Sequence, residues 1–320
     1  MDRKKAPAIL SKILEHIDTR TRILIAAIVI LFIVLTIFTP NFLTTLNFLV
    51  VIETMVILAI LSMGQNILMI AGEIDISLES VMTFVAVVVA RGQYYVGWYN
   101  AIILGILAGA GWGAVNGFFT IKSRIPSFLT TLATRTAIMG FALVLLSYRS
   151  WTYPRGMIDN LFRFKITPTI SVAVIWMIGI VIVCYIIMNK TRFGRRVYAS
   201  GGNSIGAEMI GVPVARTKFL AFVLMGILTS IAACLLLTKN RAADALCGQG
   251  YLMETIGAPV LGGATLAGGT GSVFKTLLGV ILLSFVMNGS NLMGLPPAYH
   301  NIFVGTILIA LLAIGVMWRK

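Results

Sequence analysis

Charge is nearly absent from several long stretches of this chain, and that absence constrains the fold more than any motif. Segments 23–38, 101–119, 167–188, 219–237 and 300–317 carry no Asp, Glu, Lys or Arg. Each approaches or reaches the length of about 20 residues that a helix needs to cross a hydrocarbon core. A soluble domain can hide one or two such helices, but not a series of them. The expected fold class is therefore an all-α polytopic membrane protein.

The composition agrees, with 58% hydrophobic residues and a mean hydropathy of +0.97. The net charge of +14 raises the question of nucleic acid. The Lys and Arg residues gather at the ends of apolar segments, however, and no basic face is interleaved with aromatics. That placement suits anionic lipid headgroups and excludes a duplex-binding groove. Cys184, Cys234 and Cys247 lack metal-ligand spacing, and Cys184 and Cys234 sit inside apolar runs as packing residues.

Charged clusters mark loops, because an unpaired charge near the bilayer centre costs about 2.5–3.5 kcal/mol on insertion scales. Ten spans are predicted, at 23–39, 48–70, 77–90, 101–121, 128–147, 168–188, 219–237, 257–272, 274–288 and 300–317. Residues 1–22 form an amino-terminal tail with six Lys/Arg and three Asp/Glu, and 23–318 a single transmembrane domain. The loop 189–218 carries Lys190, Arg192, Arg195, Arg196, Arg216 and Lys218 against Glu208. With an even number of spans, the tail, this loop, the Lys122/Arg124 turn and Arg319–Lys320 share one face, read as cytoplasmic. Loop 148–166 dissents: Arg149, Arg155, Arg163 and Lys165 outnumber Asp159, yet parity places it outside. Cysteines introduced at 157 and 203 are expected to react with impermeant reagents from opposite faces; labelling from one face would overturn this threading.

Gly105, Gly109, Gly113 and Gly117 recur every four residues on one face of the fourth span, where they permit close helix packing. Asn116 lies beside that face, as an interhelical hydrogen-bonding group or part of a path. In Ala71–Ser80 the carboxylates Glu73, Asp75 and Glu79 divide two apolar runs. Asp75 or Ser77 caps a helix starting there, and Glu79 falls in its first turn, near free amides and the positive dipole end. A capped helix break, a proton or cation site, and a hinge or subunit interface all fit that segment. Gly269–Thr276 reads G-T-G-S-V-F-K-T, with Phe274 where a phosphate-binding loop needs glycine and no strand before it. Small residues for a tight helix-loop-helix explain it better, with Lys275 at the cytoplasmic edge. No catalytic arrangement emerges: His16 and His300 are isolated, and Ser200 and Ser204 lack a histidine–carboxylate system nearby.

Four blocks in order carry a family resemblance: AGEIDISLES at 71–80, NGFFTIKSRIPSFLTTLAT at 116–134, GRRVYASGGNSIGAEMIGV at 194–212 and GYLMETIGAPVLGGATLAGGTGSV at 250–273. From about residue 45 to 315 the chain resembles the transmembrane permease of bacterial ABC importers of the ribose/xylose/galactose and autoinducer-2 type. Departures are local. Glu73 and Glu79 stand where that family has glycine. Leu252-Met253-Glu254 and Gly257-Ala258-Pro259 replace its Glu-Leu-Asp and Ala-Ala-Val patterns.

The resemblance implies an inner-membrane permease with a cytoplasmic amino terminus. It would import a monosaccharide or related polar solute by alternating access. Its partners would be a second permease subunit, identical or homologous, an extracytoplasmic solute-binding protein and a separate ATPase. The chain itself would bind no cofactor, with ATP and Mg held by the ATPase. Ser204, Ile205, Gly206, Ala207, Glu208, Met209, Ile210 and Gly211 would form the coupling helix that meets that ATPase. Asp75, Ser77, Asn116, Ser127 and Thr131 would be pathway or conformational positions. A nucleoside importer permease is the alternative within the class. An ion-coupled transporter using the carboxylates at 73, 75 and 79 is the alternative outside it.

Overall fold

The computed structural model describes residues 18–147, 149–152, 157–164, 171–296, 299, 302–307 and 309–310. Helices α1 (Thr19–Phe38), α2 (Thr45–Ile70), α3 (Leu78–Lys122) and α4 (Ser127–Leu146) come first. A short helix α5 (Met157–Phe162) and α6 (Val172–Lys190) follow, then α7 (Arg192–Gly202), α8 (Ser204–Met209) and α9 (Val214–Asn240). A half-length helix α10 (Leu252–Leu261) and α11 (Val273–Leu292) complete the principal elements. A two-residue pair joins β1 (Trp151–Thr152) to β2 (Ala242–Ala243) antiparallel. Short polar residues start several helices: the side chains of Thr44, Ser171, Thr191 and Asn203 accept amide bonds at α2, α6, α7 and α8.

Among the described residues seven helices are long and apolar enough to cross a membrane, where ten spans were expected. The expected spans 77–90 and 101–121 are two limbs of α3, which reverses at Gly97 with φ 79°. The reversal is visible in packing: a Cβ on Gly105 would meet Val89 and Val85, which in a straight helix would lie about 24 and about 30 Å away. The expected span 257–272 is a correction. Its helix ends at Leu261, and Gly263, Gly268 and Gly269 take left-handed backbone that no α-helix continues through. Of the expected span 300–317, residues 302–307 are helical, while 311–317 lie outside the described residues, as does most of the tail 1–22.

The centre is built from α2 and α9, whose most apolar stretches are 56% and 72% buried, against 17% for both α1 and α6. The outer faces of α1 and α6 expose Val29, Ile30, Ile33 and Ile37, and Ile175, Ile178, Ile182 and Val183. Such faces suit lipid, where no hydrophobic gain comes from covering them. The glycines of α3 make the tightest helix contact. Gly109, Gly113 and Gly117 abut Gly226, Ser230, Phe222 and Phe219 of α9, and a Cβ at Gly109 or Gly113 would overlap atoms of α9. Gly105 turns to the other limb of α3, and its carbonyl accepts from Ser230.

Cross-links sort the helix ends into two groups. At one end Asp18 pairs with Lys275, Glu73 with Lys218, and Gly269 N–H donates to Ile70 O. At the other, Asn47 and Asn288 exchange amide bonds of 3.0 and 2.7 Å. Arg163 there donates to Thr238 O and Lys239 O, at 3.0 Å each, and lies 3.9 Å from Glu53. That contact engages one of the four basic residues of the dissenting loop. The Arg163 charge neutralises the carbonyl end of α9 and a carboxylate, so it acts as a structural cation rather than a free topogenic charge.

Candidate functional site

Two helices start inside the protein rather than at its ends, and the site lies where they meet. After α2 the chain does not cross to a loop. Residues 73–76, outside any helix, run along α4: Ile74 N–H donates to Ser127 Oγ at 3.2 Å and Ile76 N–H to Thr131 Oγ1 at 3.1 Å. The spacing follows from geometry. Two residues of extended chain advance about 6.6 Å and four residues of helix about 6 Å, so positions i and i+2 of one match i and i+4 of the other. Ser127 and Thr131 therefore supply the partners that this backbone would lack in a lipid environment.

The lead into α3 is fixed by a directed chain of hydrogen bonds. Thr134 Oγ1 donates to Asn116 Oδ1 (2.6 Å), Asn116 Nδ2 to Ser77 Oγ (2.8 Å), and Ser77 Oγ to Asp75 Oδ1 (2.6 Å). Ser77 N–H also donates to Asp75 Oδ1 at 2.7 Å. All five residues expected as pathway or conformational positions, Asp75, Ser77, Asn116, Ser127 and Thr131, thus line one continuous junction of α3 and α4. No side chain caps the first turn of α3; Asp75 instead fixes its N-cap residue, Ser77, through that residue's N–H and hydroxyl. A satisfied buried network of this kind holds one geometry, since losing any member strands the next.

Glu79 does something its sequence position did not indicate. It stands in the first turn of α3, but its carboxylate serves α10: Oε1 accepts Gly250, Tyr251 and Leu252 N–H at 2.9, 3.1 and 3.0 Å. Oε2 pairs with Arg135 Nη2 of α4 at 2.8 Å. Three successive amides leading into α10, which has no side-chain cap of its own, are satisfied by a charge 171 or more residues earlier in the chain. Thr83 Oγ1 takes Gly248 N–H at 3.2 Å, and a Cβ on Gly248 would overlap the α3 backbone. Sequence reasoning missed Arg135. The available signal was its place eight residues after Ser127 and four after Thr131, on the same stripe of α4.

The three carboxylates therefore do not converge. Glu73 binds Lys218 at 2.7 Å, Asp75 binds Ser77, and Glu79 binds Arg135 and the α10 amides. Among the described residues no cluster of His, Cys, Asp and Glu is arranged to hold a metal ion. The glycine-rich stretch cradles no phosphate either. Gly268 and Gly269 press on Gly201 and Gly202 of α7 and on Gly72, and Tyr198 donates to Gly271 O at 2.9 Å.

Next to this crossing, α8 projects into solvent. Asn203 caps it through Gly206 N–H at 2.9 Å, and Gly211 ends the turn with φ 82°. The helix itself stops at Met209, two residues short of the expected 204–211. Ala207 is buried, while Ile205, Met209 and Ile210 are 72%, 83% and 79% exposed, beside exposed Ser204, Glu208 and Gly211.

Membrane-length helices around two interior helix starts, with a capped apolar knob at one end, define a multi-pass membrane protein. The chain belongs to the family described as branched-chain amino acid transport system / permease component, which it matches over residues 44–312. It is 34% identical over 290 residues to the ribose import permease protein RbsC of Bacillus subtilis (strain 168), covering 88% of this chain and 89% of that one. It is 32% identical over 295 residues to RbsC of Escherichia coli (strain K12), covering 90% of each. Identity to the L-arabinose transport system permease protein AraH of the same strain is 31% over 288 residues, covering 88% and 86%. No solved structure is significantly similar.

Proposed function

We propose that this chain imports a monosaccharide, or a closely related polyhydroxylated solute, as the membrane subunit of an ATP-driven transporter. The relatives whose printed names concern ribose and L-arabinose support the solute class. The observation that carries the mechanism is the interior junction at Glu79. Broken helices are tolerated at membrane depth where they line a protein-enclosed path, and they provide joints at which rigid parts move.

In this reading the end bearing Lys190, Arg195, Arg196 and Lys275 is cytoplasmic, and so is the amino terminus. An ATPase partner, which holds ATP and Mg, seats Ile205, Met209 and Ile210 in an apolar groove. Movement of α8 passes through α7 to the Gly201/Gly268/Gly269 crossing, and from there to the end of α2 and the non-helical 73–76 segment. A second permease subunit completes the path, and an extracytoplasmic binding protein delivers the solute. Nucleotide binding then biases the path between outward and inward openings.

Replacing Ile205 and Met209 together by aspartate tests the coupling. Both side chains are exposed, so the permease should fold and insert normally. ATP-driven uptake of ribose or L-arabinose in proteoliposomes containing the full complex should fall to background, with the ATPase no longer co-purifying. Unchanged co-purification and uptake in the double variant would rule out α8 as the coupling element.

A further inference from the structure

Arg135 is a cation halfway along a membrane helix whose side chain remains 36% exposed. It lies eight residues, about 12 Å, beyond the start of α4 at Ser127. It cannot reach back to a headgroup, because Nη2 is held at 2.8 Å by Glu79, whose other oxygen is fixed by three amides leading into α10. One guanidinium nitrogen is engaged, while five N–H donors are available on that group. Exposure to hydrocarbon would leave the remaining donors unsatisfied, a cost that excludes lipid-facing arginines from bilayer centres. Phe128 and Leu132, 51% and 43% exposed, flank Arg135 on the same face of α4, and the guanidinium is the group on that face whose donors hydrocarbon would leave unsatisfied.

We infer that the α4 surface around Arg135 is a wall of a water-filled solute path, with the guanidinium presented to that water. Glu79 is its positioning residue: it neutralises the charge and aims the group, so the wall offers N–H donors without a net field. That suits the hydroxyl oxygens of an uncharged polyol more than an anion. The inference rests on the import reading for its solute, but its geometry does not.

Cysteine accessibility in the assembled complex tests it, in membranes and without ATP or solute. Leu132→Cys and Phe128→Cys, which flank Arg135, leave the Glu79–Arg135 pair intact, and Ile182→Cys on the outer face of α6 serves as the lipid-facing reference. The parent protein, whose Cys184, Cys234 and Cys247 are all buried, gives the background rate. A charged methanethiosulfonate reagent should modify positions 128 and 132 at least about tenfold faster than position 182, because thiols in apolar surroundings ionise poorly. Rates at 128 and 132 as slow as at 182 would overturn the inference by making this surface lipid-facing. Slow modification combined with disulfide formation between copies at Leu132→Cys would overturn it by making the surface a closed subunit contact. Either failure leaves the import reading standing, since that is decided by uptake in the parent complex.

Discussion

Gly109→Leu is expected to yield no folded permease, whereas Gly111→Ala, two residues away on the same helix, should be tolerated. A Cβ at Gly109 would overlap Ser230 Oγ and lie 2.6 Å from the Gly226 carbonyl, while nothing lies within 4 Å of one at Gly111. Side chains can rotate away from an intruding methyl, but a carbonyl in a packed helix cannot. Overpacking typically costs about 1–3 kcal/mol, and a clash with backbone belongs at the upper end or beyond. In lipid that loss is not offset elsewhere, because close packing is itself what holds α3 to α9. Gly109→Ala with Ser230→Ala should recover part of the stability by removing the hydroxyl contact, and only part, since the Gly226 carbonyl remains. Thermal unfolding of the purified protein in detergent, with size-exclusion profiles, measures the series. Equal stability of the variants at 109 and 111 would show that the crossing is looser than described.

The second large effect is expected at Glu79. Glu79→Ala removes the acceptor from three amides leading into α10 and the partner of Arg135 together. Breaking a buried pair costs about 3–5 kcal/mol. Arg135 is more than a third exposed, so solvent screening reduces its share, and about 2–3 kcal/mol is expected here. Glu79→Gln separates the two roles. Its amide oxygen still accepts the three N–H groups while the charge is gone, so it should lose about 1–2 kcal/mol, the difference between a charged and a neutral hydrogen bond partner. Arg135→Ala should match Glu79→Gln more closely than Glu79→Ala, because it spares the cap. Proteolysis or hydrogen exchange localised to 248–261 provides the diagnostic readout. Glu79→Ala should loosen that segment, and Arg135→Ala should not. Loosening of equal size in both would mean that the ion pair, rather than the cap, holds α10 in place.

Glu79 also shows where sequence reading stops. Its helix and its turn are correctly expected from local signals, yet its function depends on an amide group supplied by residues 250–252. The same holds for Arg135, which from sequence is one more arginine in an apolar segment. Glu73 reads as an anomalous acid until Lys218 is found 2.7 Å away. In the basic loop 148–166, Arg163 is committed to the end of α9, a role that charge counting along the chain does not register. The expected span 257–272 fails for a different reason. Its apolar composition meets a membrane criterion, but its glycines serve a backbone crossing with 201–202 rather than a helix.

The sequence by itself determined that the protein lives in a membrane, which end is rich in positive charge, which glycines face a neighbouring helix, and which family it resembles. These follow from composition, helical periodicity and local motif order, all properties of residues close together along the chain. Only the tertiary structure decided what the three carboxylates do, that α3 folds back at Gly97, and that α10 starts inside the protein on a cap borrowed from α3. The physical reason is common to all three. In lipid every backbone amide and every charge must find a partner, and a chain that breaks its helices must find those partners on elements far away in sequence.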